Sequence, residues 1–142
     1  MISSATSRCF TSDVDADVLS LARYHARQAG VEGHIPWQRL PLSELSARQK
    51  YGYVICNPPY GQQVEDVPSV QRLYREMGQV FRKLDTWSFF VLTAYPGFGR
   101  YSGRRAYKKR KLYNGRIQCY YYHFPGPRPP RLNGTQPVSS PV

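Results

Sequence analysis

Acidic residues are scarce in this chain of 142 residues: 9 Asp and Glu stand against 20 Lys and Arg, which leaves a formal charge of +11 near neutral pH. Such a balance disfavours cationic partners and points to a polyanion, with nucleic acid ahead of a membrane surface. Cysteine is scarce as well. Cys9, Cys56 and Cys119 are odd in number and far apart, so they suggest neither a disulfide framework nor a metal cluster, and they fit a reducing cytoplasm. His25, His34 and His123 show no ligand spacing, and no metal is expected. No apolar run approaches the roughly 20 residues that span a bilayer, and residues 1–8 lack the apolar core of a signal peptide. A soluble, cytoplasmic, single-domain protein is the expectation. What the chain has in quantity is aromatic surface, 14% of residues, and tyrosine and arginine faces can stack on bases.

Alternating strand and helix patterns follow along the chain. Residues 8–12 (RCFTS) form a weak strand candidate that runs into Asp13. From Asp15 the period changes: Val18, Leu21, Ala22, His25, Ala26 and Ala29 recur at helical spacing, with Asp15 as N-cap and Gly30 as the stop. A short strand is expected at 34–39 (HIPWQR), a helical turn or loop at 42–49, and a buried strand at 51–56 ending at Asn57. A second helix places Val70, Leu73, Tyr74, Met77, Val80, Phe81 and Leu84 on one face and Arg72, Arg75, Glu76, Gln79 and Arg82 on the other. WSFFVLT at 87–93 has too few polar residues to face water and reads as an interior strand. Asn114-Gly115 between RAYKKRKLY and RIQCYYYHF is a hairpin signal. Residues 125–142 hold half of the 12 prolines and almost no apolar bulk, so a disordered tail is expected after a domain spanning 1–124. These elements predict an α/β fold whose sheet is mainly parallel and closes with an antiparallel hairpin.

In such sheets ligands sit beyond the carboxyl ends of the strands. Asp13 and Asn57 both fall at such ends. A carboxylate there can accept two hydrogen bonds from a vicinal ribose diol, and Asp15, as the better helix cap, leaves Asp13 available. The stretch Asn57-Pro58-Pro59-Tyr60 suits an amine. A nucleobase amino group is a poor nucleophile because its lone pair is delocalised into the ring. The Asn57 side-chain oxygen and the Pro58 carbonyl can each accept one of its N–H groups, aim the lone pair and stabilise the positive charge that develops on transfer. Two prolines remove donors and stiffen the loop, and Tyr60 can stack on an extruded base. Cys56 reads as a small buried strand residue.

SDVDADVLSLARYHARQAGV at 12–31, VICNPPYG at 54–61, LYREMGQVFRKLDTWSFFVLT at 73–93 and KKRKLYNGRIQCYYYHF at 108–124 resemble the catalytic domain of class I, Rossmann-like, S-adenosylmethionine-dependent RNA methyltransferases of the THUMP-associated type, the bacterial group that methylates guanine N2 in 23S ribosomal RNA. The resemblance implies S-adenosyl-L-methionine as cofactor, with Asp13 on its ribose and Asn57 beside it. It also implies Asn57, Pro58, Pro59 and Tyr60 as the catalytic loop and ribosomal RNA as partner. It covers about residues 10–124, and the family's first strand, glycine-rich loop and THUMP domain have no counterpart in the sequence. A missing N-terminal half carrying the THUMP domain is therefore expected. In that family's sheet the absent strand lies between the strand ending at Asp13 and the strand ending at Asn57. The acid often found after the third strand would fall near Leu40 or Pro41, where there is none.

Six of the eight residues at 104–111 are basic: Arg104, Arg105, Lys108, Lys109, Arg110 and Lys111. They can anchor RNA through its phosphates, and lysines also protect an edge strand. The expected activity is direct methyl transfer to an exocyclic amine of an RNA base, without a metal or covalent enzyme intermediate. Two alternatives stand beside it. One is a DNA adenine-N6 methyltransferase, because similar four-residue motifs serve both amines; the other is a non-catalytic RNA-binding remnant or truncated gene product.

Overall fold

A computed structural model describes residues 9–59 and 66–131. The chain opens with β1 (Thr11–Asp13), α1 (Ala16–Gln28) and β2 (Trp37–Arg39), and β1 pairs with β2 in parallel, Thr11 opposite Trp37 and Asp13 opposite Arg39. Asp15 caps α1 as expected, its carboxylate accepting the amides of Asp17 at 2.8 Å and Val18 at 3.3 Å. Gly30 adopts φ +73°, which lets the Gly30 and Val31 amides return to the Arg27 and Ala26 carbonyls and close the helix. Single 3-10 turns occupy Glu32–His34 and Leu42–Glu44.

The second sheet has the order β3-β4-β6-β5, from β3 (Tyr53–Cys56), β4 (Ser88–Thr93), β5 (Lys108–Asn114) and β6 (Ile117–Phe124). β3 and β4 are parallel and β6 is antiparallel to both β4 and β5, so β6 alone in this sheet runs against the rest. The expected hairpin is present, with Gly115 at φ +61° in its turn. One face of the sheet is covered by α2 (Val67–Lys83) and α3 (Phe98–Ser102). Val70, Tyr74, Met77, Val80 and Phe81 of α2 pack there on Phe89, Val91, Tyr122 and Phe124, with Phe81 stacked on Phe89 at 4.0 Å between ring centroids. Leu42 and Leu45 lean on the same core and tie the first unit to the second.

Three expectations need correction. The strand expected at 51–56 begins only at Tyr53, because Tyr51 takes a left-handed φ of +64° and Gly52 lies against the Trp87 ring, where no side chain fits. It is also not buried: Tyr53 is 70% and Ile55 75% exposed. The cause is one-sided support, since among the described residues β3 pairs only with β4 and no helix lies over its outer face. The same holds for α1. Of its apolar positions only Leu19 and Ala26 are buried, while Val18, Leu21 and His25, expected on the inner face, are exposed. The third correction is an omission: α3 gave no periodic signal over its five residues, yet Phe98 and Ser102 are fully buried beneath α2. In the expected tail, residues 125–131 form no helix or strand, and the Gly126 amide donates to Ser88 Oγ at 2.9 Å; residues 132–142 lie outside the described part.

Gly78 sets the approach of α2 to α3. A Cβ there would press on the Ser102 carbonyl oxygen, far inside van der Waals contact. Helix propensity alone favours Gly78→Ala by about 0.5–1 kcal/mol, whereas overpacking against a rigid backbone costs about 1–3 kcal/mol. The contact wins, so Gly78→Ala is expected to lower the urea midpoint. A raised midpoint would show that α3 is not docked as described.

Candidate active site

Asp13 closes β1 and Asn57 follows β3 directly, so both stand at the carboxyl ends of strands that have a parallel partner. Asp13 Oδ1 accepts the Asp15 amide at 2.9 Å, a local bond that orients the carboxylate. Its other oxygen has no partner among the described residues, which suits a ribose diol. Asp15 does the capping, as expected, and Asp13 is left out of the cap.

Asn57 is exposed, Pro58 is buried and Pro59 is exposed. With proline at 58 and 59 the loop has no N–H to donate at either position, and its carbonyls are its polar surface. The Pro59 carbonyl accepts the Tyr74 hydroxyl at 3.2 Å. Tyr60 lies outside the described residues. Behind the loop, burial pushes the Cys56 thiol up to about 12, and its sulfur rests 3.8 Å from the Phe90 carbonyl. A thiol so far from ionising is inert, which agrees with reading Cys56 as a packing residue. The cleft at the carboxyl end of β2 is lined by Gln38, Arg39, Leu40, Glu44, Leu45 and Ser46, so the carboxylate there is Glu44 rather than a residue at 40 or 41.

These side chains fit a nucleoside cofactor in part. The Asp13 carboxylate has the chemistry for a ribose diol, but no glycine-rich loop occurs among the described residues to hold an amino-acid end.

The basic residues occupy the opposite edge of the second sheet. The register runs Cys56 to Val91 to Tyr122 to Lys109, so β5 crosses level with the Asn57 loop, roughly 14 Å away at three strand spacings. All seven residues of β5 are exposed. Lys109 Nζ stands 3.9 Å from the Tyr120 ring centroid, and Lys108 and Lys111 lie over Tyr107 and Tyr113 at 5.6 and 5.7 Å. Arg104 donates to the Pro125 carbonyl at 3.3 Å and lines a surface cleft with Arg105, Ala106, Tyr107 and Pro125. Among the described residues the one ion pair is Arg27–Glu32, so no carboxylate neutralises this basic edge.

Sequence reasoning assigned Tyr74 to the core face of its helix and missed its hydroxyl. The available signal was a tyrosine rather than a phenylalanine at a fully buried position, where an O–H needs a partner.

Similarity to known proteins identifies the family. The family described as UPF0020, RMKL-like methyltransferase domain, matches residues 2–123. The chain is 37% identical over 115 residues to YpsC of Bacillus subtilis (strain 168), covering 81% of this chain and 30% of that protein. It is 35% identical over 112 residues to the ribosomal RNA large subunit methyltransferase K/L of Legionella pneumophila (strain Corby), covering 78% and 16% respectively. The crystal structure of SMU.472 complexed with SAH superposes with a TM-score of 0.81 at 38% identity, over 86% of this chain and 32% of that one. The chain thus spans less than a third of the length of these curated relatives, and the fold they share is that of class I methyltransferases. On the match over residues 2–123, the chain belongs to the RMKL-like methyltransferase domain family.

Proposed function

We propose that this chain carries the amine-binding part of an S-adenosylmethionine-dependent RNA methyltransferase acting on an exocyclic amino group, guanine N2 of 23S ribosomal RNA before other bases. The observation that carries the reading is the exposed Asn57 on a donor-free Pro58-Pro59 loop at the carboxyl end of β3. In this reading Asn57 Oδ1 and the Pro58 carbonyl accept the two N–H groups of the amine and so direct its lone pair. S-adenosylmethionine, when bound, supplies the electrophilic methyl. Asp13 holds the cofactor ribose, Asn57 borders the cofactor, and Tyr60 stacks on the base. Arg104, Arg105, Lys108, Lys109, Arg110 and Lys111 hold phosphates a few nucleotides from the target. The catalytic unit covers residues 1–124, with 125–142 as a tail, and the chain works in the cytoplasm.

A further polypeptide segment completes the sheet in this proposal, either an N-terminal half with a THUMP domain or a second chain. Support comes from strand edges on β3 and on the β1-β2 pair that have no partner among the described residues, and open edges are costly. The large exposed apolar side chains of β3 and α1 add to it: Tyr53, Ile55, Val18, Leu21 and Tyr24.

The direct test fuses this chain to the segment that precedes the matched region of YpsC and supplies methyl-labelled S-adenosylmethionine with ribosomal RNA. Label is expected in N2-methylguanosine after digestion to nucleosides. Label in N6-methyladenine of added DNA instead would replace the proposal with the adenine alternative. A second reading, an RNA-binding remnant, is favoured for the chain alone by its separate two-stranded sheet. Absence of cofactor binding by the folded, unfused chain in calorimetric titration would exclude independent catalysis by it.

A further inference from the structure

The loop that carries Asn57 is supported from inside the protein. Tyr74 on α2 and Thr93 at the end of β4 are both fully buried, and their hydroxyls meet at 3.1 Å. Thr93 Oγ1 also accepts the Tyr95 amide at 3.0 Å, and Tyr74 Oη lies 3.2 Å from the Pro59 carbonyl. One assignment of protons gives every O–H a role: Thr93 donates to Tyr74 and Tyr74 donates to Pro59, in line with the Tyr95 amide donating to Thr93. Burial raises the Tyr74 pKa, which keeps its hydroxyl a donor. The Tyr74 ring is held by edge-on contacts with Tyr95 and Phe98 at 5.3 and 5.0 Å between centroids, so the hydroxyl has a fixed position.

From residue 57 to residue 59 the loop offers three backbone carbonyls and only the Asn57 amide as a donor. Locking the third carbonyl from beneath fixes the backbone two residues beyond the exposed Asn57. We propose that Tyr74 and Thr93 are positioning residues that hold the amine-accepting loop in register through the Pro59 carbonyl. This rests on the function proposed above only for its catalytic consequence. The mechanical part stands on the hydrogen-bond chain itself.

The experiment therefore reads both levels. In the unfused, isotope-labelled chain, Tyr74→Phe and the near-isosteric Thr93→Val are expected to shift or broaden the Asn57 backbone and side-chain amide resonances, while Thr93→Ser, which keeps the hydroxyl, leaves them at their parent positions. Amides of α1 serve as the remote control and should not move. In the YpsC fusion, the same two variants are expected to lower kcat about 10- to 100-fold with the cofactor KM unchanged, the pattern of a displaced reacting group. Unmoved Asn57 resonances in folded Tyr74→Phe or Thr93→Val overturn the inference whatever the activity. Failure of both variants to fold overturns it too, because the pair would then serve the core rather than the loop. An inactive parent fusion with Asn57 resonances that respond as expected would remove the proposed function and leave the positioning role standing.

Discussion

Replacing Asn57 with alanine is expected to reduce methyl transfer by the completed protein about 100- to 1,000-fold or more, the range seen when one preorganised partner of a developing charge is removed. Cofactor affinity should stay within a few-fold. The reasoning starts from the amine. Its lone pair is conjugated with the ring, so attack on a methyl group requires that conjugation to be broken and a positive charge to be carried on nitrogen. Two acceptors aimed at its two N–H groups stabilise that charge in the transition state more than in the ground state, which is what lowers the barrier. Among residues 57–59 Asn57 contributes the one side-chain acceptor, and a backbone carbonyl cannot be deleted by substitution. The measurement is single-turnover transfer of labelled methyl to RNA alongside calorimetric titration with the cofactor. Transfer at the parental rate would remove Asn57 from the chemistry, and equal losses in both assays would make it a cofactor ligand only.

Phe89→Ala is expected to have the largest effect on stability. Phe89 is fully buried on β4, stacked on Phe81 of α2, and Phe81 in turn meets Phe124 of β6 at 5.6 Å. Truncating such a ring costs about 3–5 kcal/mol, a large share of the roughly 5–15 kcal/mol that stabilises a domain. A fall of at least about 1 M in the urea midpoint follows from the usual slopes of small proteins. Its neighbour provides the contrast. Phe90 points to the opposite face, where it stacks on His123 at 4.5 Å but is only half-buried. Phe90→Ala in the chain alone should cost less than half as much. In the completed protein, where the added segment would cover that face, the Phe90 penalty should grow toward that of Phe89. Equal penalties for the two rings in the unfused chain would mean that its outer face is already covered.

Much of the second sheet was legible because its signals are local or strongly periodic. The apolar face of α2 repeats every three to four residues over 17 residues, and the alternation of buried and half-buried residues along β4 matches the period-2 pattern of a strand with one buried face. The Asn-Gly turn needs only a positive φ at Gly115. Asp15 capped α1 because an acid at that place can reach two amides whatever lies around it. The misreadings concern surfaces whose environment is set by other parts of a chain. Tyr53, Ile55, Val18 and Leu21 have the sequence character of core residues, and they are exposed because nothing among the described residues covers them. The hydrophobic pattern records where a side chain is best buried, but burial itself depends on a neighbour being present.

The site divides in the same way. By itself the sequence determined the acceptor-lined motif at Asn57, Pro58 and Pro59, the aspartate after the first strand, and the family, since each depends on which residue types follow one another. Only the tertiary structure decided that Tyr74 and Thr93 support the loop from beneath, that the basic strand crosses level with it at the far edge, and that the described strands form two sheets. Those facts join residues 15, 34 and 53 positions apart in the chain, as for Pro59 with Tyr74, Pro59 with Thr93 and Cys56 with Lys109. Local residue chemistry cannot specify such meetings, because packing and strand register bring them about.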